Sequence, residues 1–77
     1  MGVFAQPYAQ PSMRPPDGFD HIVVGERWPG GPIQIWAASG EWVYSETYDR
    51  YDWDDRQERI LTGFRVSAMQ SLKDKHA

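Results

Sequence analysis

Apolar and polar residues alternate along the middle of the chain and predict a β-sheet. β-Branched and aromatic side chains are enriched in the alternating segments, which are typical of strands at residues 21–28, 33–38 and 41–48. Residues 29–32 are Pro-Gly-Gly-Pro and interrupt the chain between the first two strands. Ser39 and Gly40 predict a two-residue hairpin turn before the third strand.

The length of this turn determines which side chains share a face of the sheet. With Ser39 and Gly40 as the loop, Ala37 lies opposite Trp42, and directly opposed residues project from the same face. One face is therefore predicted to be apolar and to form the core, with Ile22, Val24, Trp28, Ile33, Ile35, Ala37, Trp42 and Tyr44. The other face is predicted to carry Gln34, Trp36, Ala38, Glu41, Val43 and Ser45.

The C-terminal part of the chain changes to a helical period. Over residues 54–73, apolar residues recur at spacings of three and four and form a single stripe of Ile60, Leu61, Phe64, Ala68 and Leu72. Asp52 or Asp54 is expected to cap the start of the helix. Gly63 interrupts the helical pattern, and we interpret it as a site of close approach beside Phe64.

These elements predict an α+β fold of three antiparallel strands followed by one C-terminal helix (βββα). The predicted domain comprises residues 21–77. Residues 1–20 contain four prolines without a strand or helix period, and they predict an extended proline-rich arm. The aromatic residues Phe4, Tyr8 and Phe19 suggest that this arm docks, either on the domain or on a partner.

Composition excludes several classes of function. The chain has 77 residues and a net charge of −3, which argues against general nucleic-acid binding and against a basic membrane-surface peptide. It contains no cysteine, so disulfides and thiolate metal sites are excluded. No apolar run approaches the length of a membrane span, and no signal peptide is recognisable. A cytoplasmic location is therefore expected.

An acidic cluster surrounds the predicted start of the helix, with Glu46, Asp49, Asp52, Asp54, Asp55 and Glu58. Its spacing does not match a calcium loop, and it has no glycine at a sharp turn, so we expect no metal and no cofactor. Helix capping and ion pairs such as Asp55 with Arg59 or Asp52 with Arg56 account for most of the charge. An acidic recognition surface is the alternative.

Candidate catalytic groups are isolated from one another. His21 begins a strand and Ser39 lies in the predicted turn, so neither has a partner placed to activate it. The glycines at 30 and 31 are followed by proline rather than by a helix, which does not suit a phosphate-binding loop. The sequence therefore predicts no enzymatic activity and no catalytic residues.

Aromatic side chains outside the predicted core indicate a binding surface. Tryptophan and tyrosine are enriched where proteins bind each other, and the predicted partner-binding residues are Trp36, Tyr48, Asp49, Tyr51, Asp52 and Trp53. We interpret the chain as a small acidic, non-enzymatic interaction protein that binds a protein partner or a second copy of itself. An inhibitor or assembly factor from a phage or mobile element is one hypothesis of this kind. The alternative is a single-stranded nucleic-acid-binding or regulatory protein that stacks bases on the aromatic sheet face.

Overall fold

A computed structural model of the chain describes residues 11–75 and confirms the βββα fold. The strands are β1 (His21–Glu26), β2 (Ile33–Ser39) and β3 (Trp42–Tyr48), and the helix is α1 (Arg50–Lys75). The strands form one antiparallel sheet in the order β1-β2-β3. The helix packs on one side of this sheet, over β2 and β3.

The hairpin between β2 and β3 closes further along the chain than predicted. Ser39 faces Trp42 and Ala37 faces Tyr44, so Gly40 and Glu41 form the turn and the predicted pairing of Ala37 with Trp42 is wrong. Gly40 has a positive φ of 59°, which only glycine adopts readily. The pairing of the two strands is shifted by two residues, the period of a strand, and the side chains of β2 and β3 therefore remain on their predicted faces.

The core lies between the inner face of the sheet and one stripe of the helix. Ile35, Ala37, Leu61, Phe64 and Ala68 have no exposed surface. Residues predicted for the core that lie partly buried against this cluster are Ile22, Val24, Trp42, Tyr44, Ile60 and Leu72. Trp28 is an exception, since β1 ends before it and its side chain is 59% exposed.

Helix α1 begins four residues earlier than predicted. The backbone N–H of Trp53 donates to the Asp49 carbonyl, and the Asp49 side chain accepts from the N–H groups of Tyr51 and Asp52. The helix cap is therefore Asp49, and not Asp52 or Asp54. The helix is interrupted at Arg56, where φ is −138° and ψ is 38°, between the turn with Trp53 and the predicted apolar stripe.

Residues 11–19, which we call the strap, pack against the helix. Pro16 and Phe19 are buried, and the N–H of Phe19 donates to the Pro16 carbonyl. The N–H of Asp20 donates to the carbonyl of Ala38 and continues the pairing of β1 with β2. Phe4 and Tyr8, the other aromatic residues of the predicted arm, lie outside the described residues.

Two glycines offer opposite tests of this packing. Gly18 has a φ of +87°, and a Cβ built there would lie 2.7 Å from Leu72 Cδ2. Gly18→Ala is therefore expected to lower the free energy of unfolding by about 1 to 3 kcal/mol. Gly63 has open space around it, contrary to the close approach predicted from the sequence. Gly63→Ala is expected to raise the free energy of unfolding by about 0.5 to 1 kcal/mol through helix propensity. Urea denaturation of both variants checks these opposite signs, and equal destabilisation would contradict the described strap.

Candidate interaction surfaces

The sheet face opposite the helix, which we call the outer face, carries no Asp, Glu, Lys or Arg among its strand residues. Strand pairing places on this face His21, Val23, Gly25, Gln34, Trp36, Ala38, Val43, Ser45 and Thr47. Val23 and Val43 are more than half exposed, at 53% and 54%. The outer face is therefore an uncharged surface with exposed apolar side chains, on a protein whose residues are 25% charged.

Trp36 occupies the middle of the outer face. It lies between Val23 on β1 and Ser45 on β3, and its ring packs over Gly25, where an added Cβ would approach the ring to 3.2 Å. This contact explains why the indole is only partly exposed on a face that no helix covers. Because Gly25 has no side chain, the indole of Trp36 packs directly against the backbone of β1.

The end of the sheet near the helix start is organised by ion pairs. Arg50 donates to the Glu26 carboxylate, and its Nε lies 3.3 Å from Asp54 Oδ1. The hydrogen bond from Arg50, followed by one from the Gly30 N–H, lowers the pKa of Glu26. The hydrogen bond to Glu26 likewise raises the pKa of Arg50. The ion pairs within the helix differ from the predicted ones: Arg50 pairs with Asp54, and Asp55 pairs with its neighbour Arg56.

Tyr44, Glu46 and Tyr48 form a hydrogen-bonded row on the inner face of β3. Both tyrosine hydroxyls donate to the Glu46 carboxylate. Burial raises the pKa of Tyr48, and the bond to Glu46 raises it further. The same two causes, in the same order, raise the pKa of Tyr44. The Glu46 carboxylate is therefore hydrogen-bonded to two tyrosines of its own strand.

A shallow groove of about 700 Å³ runs between β3 and the C-terminal half of the helix. Its walls are formed by Trp42, Tyr44, Val66, Ser67, Gln70, Ser71, Asp74 and Lys75. The Lys75 ammonium lies 4.7 Å from the centre of the Trp42 ring, at a distance typical of a cation–π contact. The indole Nε1 of Trp42 is buried and has no hydrogen-bond partner among the described residues.

The predicted partner-binding residues lie in three different places. Trp36 is on the outer face, and Asp49, Tyr51 and Asp52 are exposed at the start of the helix, with Tyr51 73% exposed. Tyr48 is partly buried on the inner face, and Trp53 is 8% exposed within the core cluster. The indole of Trp53 is therefore a core side chain in this fold, because the helix begins early enough to include it.

Arg65 is a structural residue that the sequence pattern does not reveal. It is 6% exposed, its Nε donates to the Arg14 carbonyl at 2.8 Å, and its Nη2 donates to the Ser12 carbonyl. Glu58 accepts from the N–H of Ser12 at 2.9 Å, so the two side chains together bind the strap. The one feature of the sequence that points to this role is the position of Arg65 directly after Phe64 of the apolar stripe.

Residues 11–75 contain neither a metal-binding cluster nor a helix that could cross a membrane. In that part of the chain, no three acidic or histidine side chains come together as a metal site. Helix α1 lacks the length of apolar sequence that a membrane crossing requires. Comparison with protein-family models, curated proteins and solved structures finds no match, so no relative supplies a function.

Proposed function

We propose that this chain is a non-enzymatic interaction protein that binds a protein partner through its outer face. The observation that supports this function is an uncharged sheet face with Trp36 at its centre and exposed valines on either side. Large aromatic side chains bury much surface at low entropic cost and often contribute most of the binding energy. Asp49, Tyr51 and Asp52 are exposed at the helix start and are proposed as a second contact for the partner, apart from the outer face.

The charge distribution favours a protein partner over single-stranded nucleic acid. A sheet that stacks bases needs lysine or arginine nearby to neutralise phosphates, and the outer face has neither. Arg27 and Arg50 lie just beyond the ends of β1 and β3, and Glu26 and Asp54 already pair with Arg50. An inhibitor or assembly factor would use a surface of this kind.

A photo-crosslinking amino acid placed on the outer face identifies the partner. Val23 is a suitable position because it faces Trp36 and is 53% exposed. Thr62 is the control, since it is exposed on the helix, away from the sheet. We expect a protein crosslinked from position 23 and absent from position 62, identified by mass spectrometry in cells that express the chain. Equal crosslinking from both positions would contradict binding through the outer face.

Trp36→Ala is expected to weaken binding of that partner at least about 30-fold, which corresponds to about 2 kcal/mol. The fold should persist, because Trp36 lies outside the core and packs on Gly25. Calorimetric titration gives the affinity, and circular dichroism verifies the fold. The matched control is Trp28→Ala, which removes an indole that is 59% exposed outside the strands and should change the affinity little. Loss of the folded state in Trp36→Ala would instead assign Trp36 to the core.

Salt dependence separates the two classes of partner. Binding to nucleic acid falls by orders of magnitude between about 50 and 200 mM salt, because counterions are released from the phosphates. Binding through an uncharged aromatic face should change by less than about threefold over this range. Tight binding to random single-stranded oligonucleotides with a steep salt dependence would favour the nucleic-acid alternative.

A further inference from the structure

Strand β3 is an edge strand that lacks several of the features by which edges are kept from pairing. Among the described residues its one neighbour is β2, and this pairing is continuous from Trp42 to Tyr48. Edge strands are commonly protected by lysine, proline or a bulge. β3 has none of these, and its one charged residue, Glu46, is turned to the inner face and bonded to two tyrosines.

The sequence of β3 is complementary to itself when two copies run antiparallel about Ser45. In this register Ser45 faces Ser45, and Val43 faces Thr47, so β-branched side chains meet on the outer face. On the inner face Tyr44 of one copy lies opposite Glu46 of the other, so the two Glu46 carboxylates do not face each other. Centring the pairing on Glu46 instead would oppose two carboxylates, which disfavours that register.

The charges of the helix also suit this arrangement. The helix begins at Arg50, beside the Tyr48 end of β3, and its last turn lies over Trp42, where Lys75 contacts the ring. Antiparallel pairing brings the Trp42 end of one copy beside the Tyr48 end of the other. Lysines at 73 and 75 would then approach the aspartates at 49 and 52 of the second copy, an attraction between opposite charges.

We propose that two copies of this chain pair antiparallel through β3, about a two-fold axis at Ser45, and join their sheets into one. The groove between β3 and α1 then faces the second copy, and the two outer faces become a single continuous surface. Dimerisation is measured on the purified chain alone. A negative result would therefore leave the binding of another protein through the outer face standing.

Opposite charges at the two-fold axis test the pairing. Ser45 is exposed, so Ser45→Lys and Ser45→Glu should both fold. Alone, each variant opposes two like charges and should raise the dimer dissociation constant at least about tenfold, and an equimolar mixture should restore dimers as heterodimers. Val23→Lys, on the other edge strand and equally on the outer face, is the matched control and should remain dimeric. Sedimentation velocity gives the oligomeric state of the two Ser45 variants, of their mixture and of the control.

A single cysteine tests the register, since the natural chain has none. Mild oxidation should crosslink Ser45→Cys rapidly, because the two side chains face each other. Val43→Cys should crosslink slowly, because its own copy lies about four residues, or roughly 13 Å, along the strand. A wild-type chain that stays monomeric at about 100 µM, or a mixture of Ser45→Lys and Ser45→Glu without heterodimers, would overturn the proposal. A dimer that forms only after removal of residues 1–10 would overturn it as well, by assigning the β3 edge to that segment.

Discussion

Replacing Phe64 by alanine is expected to unfold the domain. Phe64 is fully buried, and its ring centre lies 5.5 Å from that of Tyr44 at an angle of 47°. Removing a buried phenylalanine ring costs about 3 to 5 kcal/mol, through lost burial and the cavity that remains. A core of this size supplies a net stability of about 3 to 5 kcal/mol, so the loss is comparable to the whole. Circular dichroism during urea denaturation measures the effect.

Val66→Ala is the matched control for this substitution. Val66 lies on the same helix, two positions further along, and is 59% exposed. Its truncation should change the free energy of unfolding by less than about 0.5 kcal/mol. A Phe64→Ala variant that unfolds cooperatively at the wild-type urea concentration would contradict the position of the ring in the core.

Arg65→Met is expected to release the strap and to lower the free energy of unfolding by about 2 to 4 kcal/mol, because two hydrogen bonds from a charged donor are lost. Methionine retains an apolar stem in the place of the arginine stem, so the change isolates the guanidinium. The carbonyls of Ser12 and Arg14 are the groups that lose their partner. Urea denaturation measures the loss, and chymotrypsin cleavage after Phe19, which is 7% exposed, reports release of the strap.

Two further substitutions separate the guanidinium from the charge of Arg65. Arg65→Lys keeps the charge but lacks the planar fork that reaches two carbonyls, so an intermediate loss is expected. Arg59→Met removes an exposed arginine from the same helix and should have little effect. If Arg65→Met destabilises the domain while Phe19 remains protected from cleavage, the guanidinium does not hold the strap.

The fold was predictable from the sequence because its main signals are periodic. Alternation in the strands and the three-to-four spacing of the helix place Ile35, Ala37, Leu61 and Phe64 correctly in the core. The predicted turn lies one residue too early, which shifts the pairing of the two strands by two residues. Because side chains repeat with a period of two along a strand, this error leaves the faces unchanged. Pattern alone therefore predicts the faces of this sheet more securely than its residue-to-residue pairing.

The start of the helix was harder to predict, because several aspartates in succession can each serve as a cap. Asp49 takes that role, and Trp53 enters the core as a consequence. Arg65 is buried because it binds carbonyl groups of the strap, which are distant in sequence. Every residue has a backbone carbonyl, so the sequence does not reveal these partners. Of the predicted site, periodicity places Trp36 correctly on the outer face. Trp53 and Tyr48, which the sequence predicts on a binding surface, are instead buried and partly buried.

The contacts of the strap have a consequence for folding kinetics. The hydrogen bonds of Glu58 and Arg65 to the strap join residues that are 46 to 53 positions apart in a chain of 77. Contacts with such large separations require closure of a long loop, which slows folding, whereas the hairpin of β2 and β3 forms from neighbouring residues. The hairpin can therefore form early, while Pro16 and Phe19 reach their buried positions only when the two ends of the domain meet.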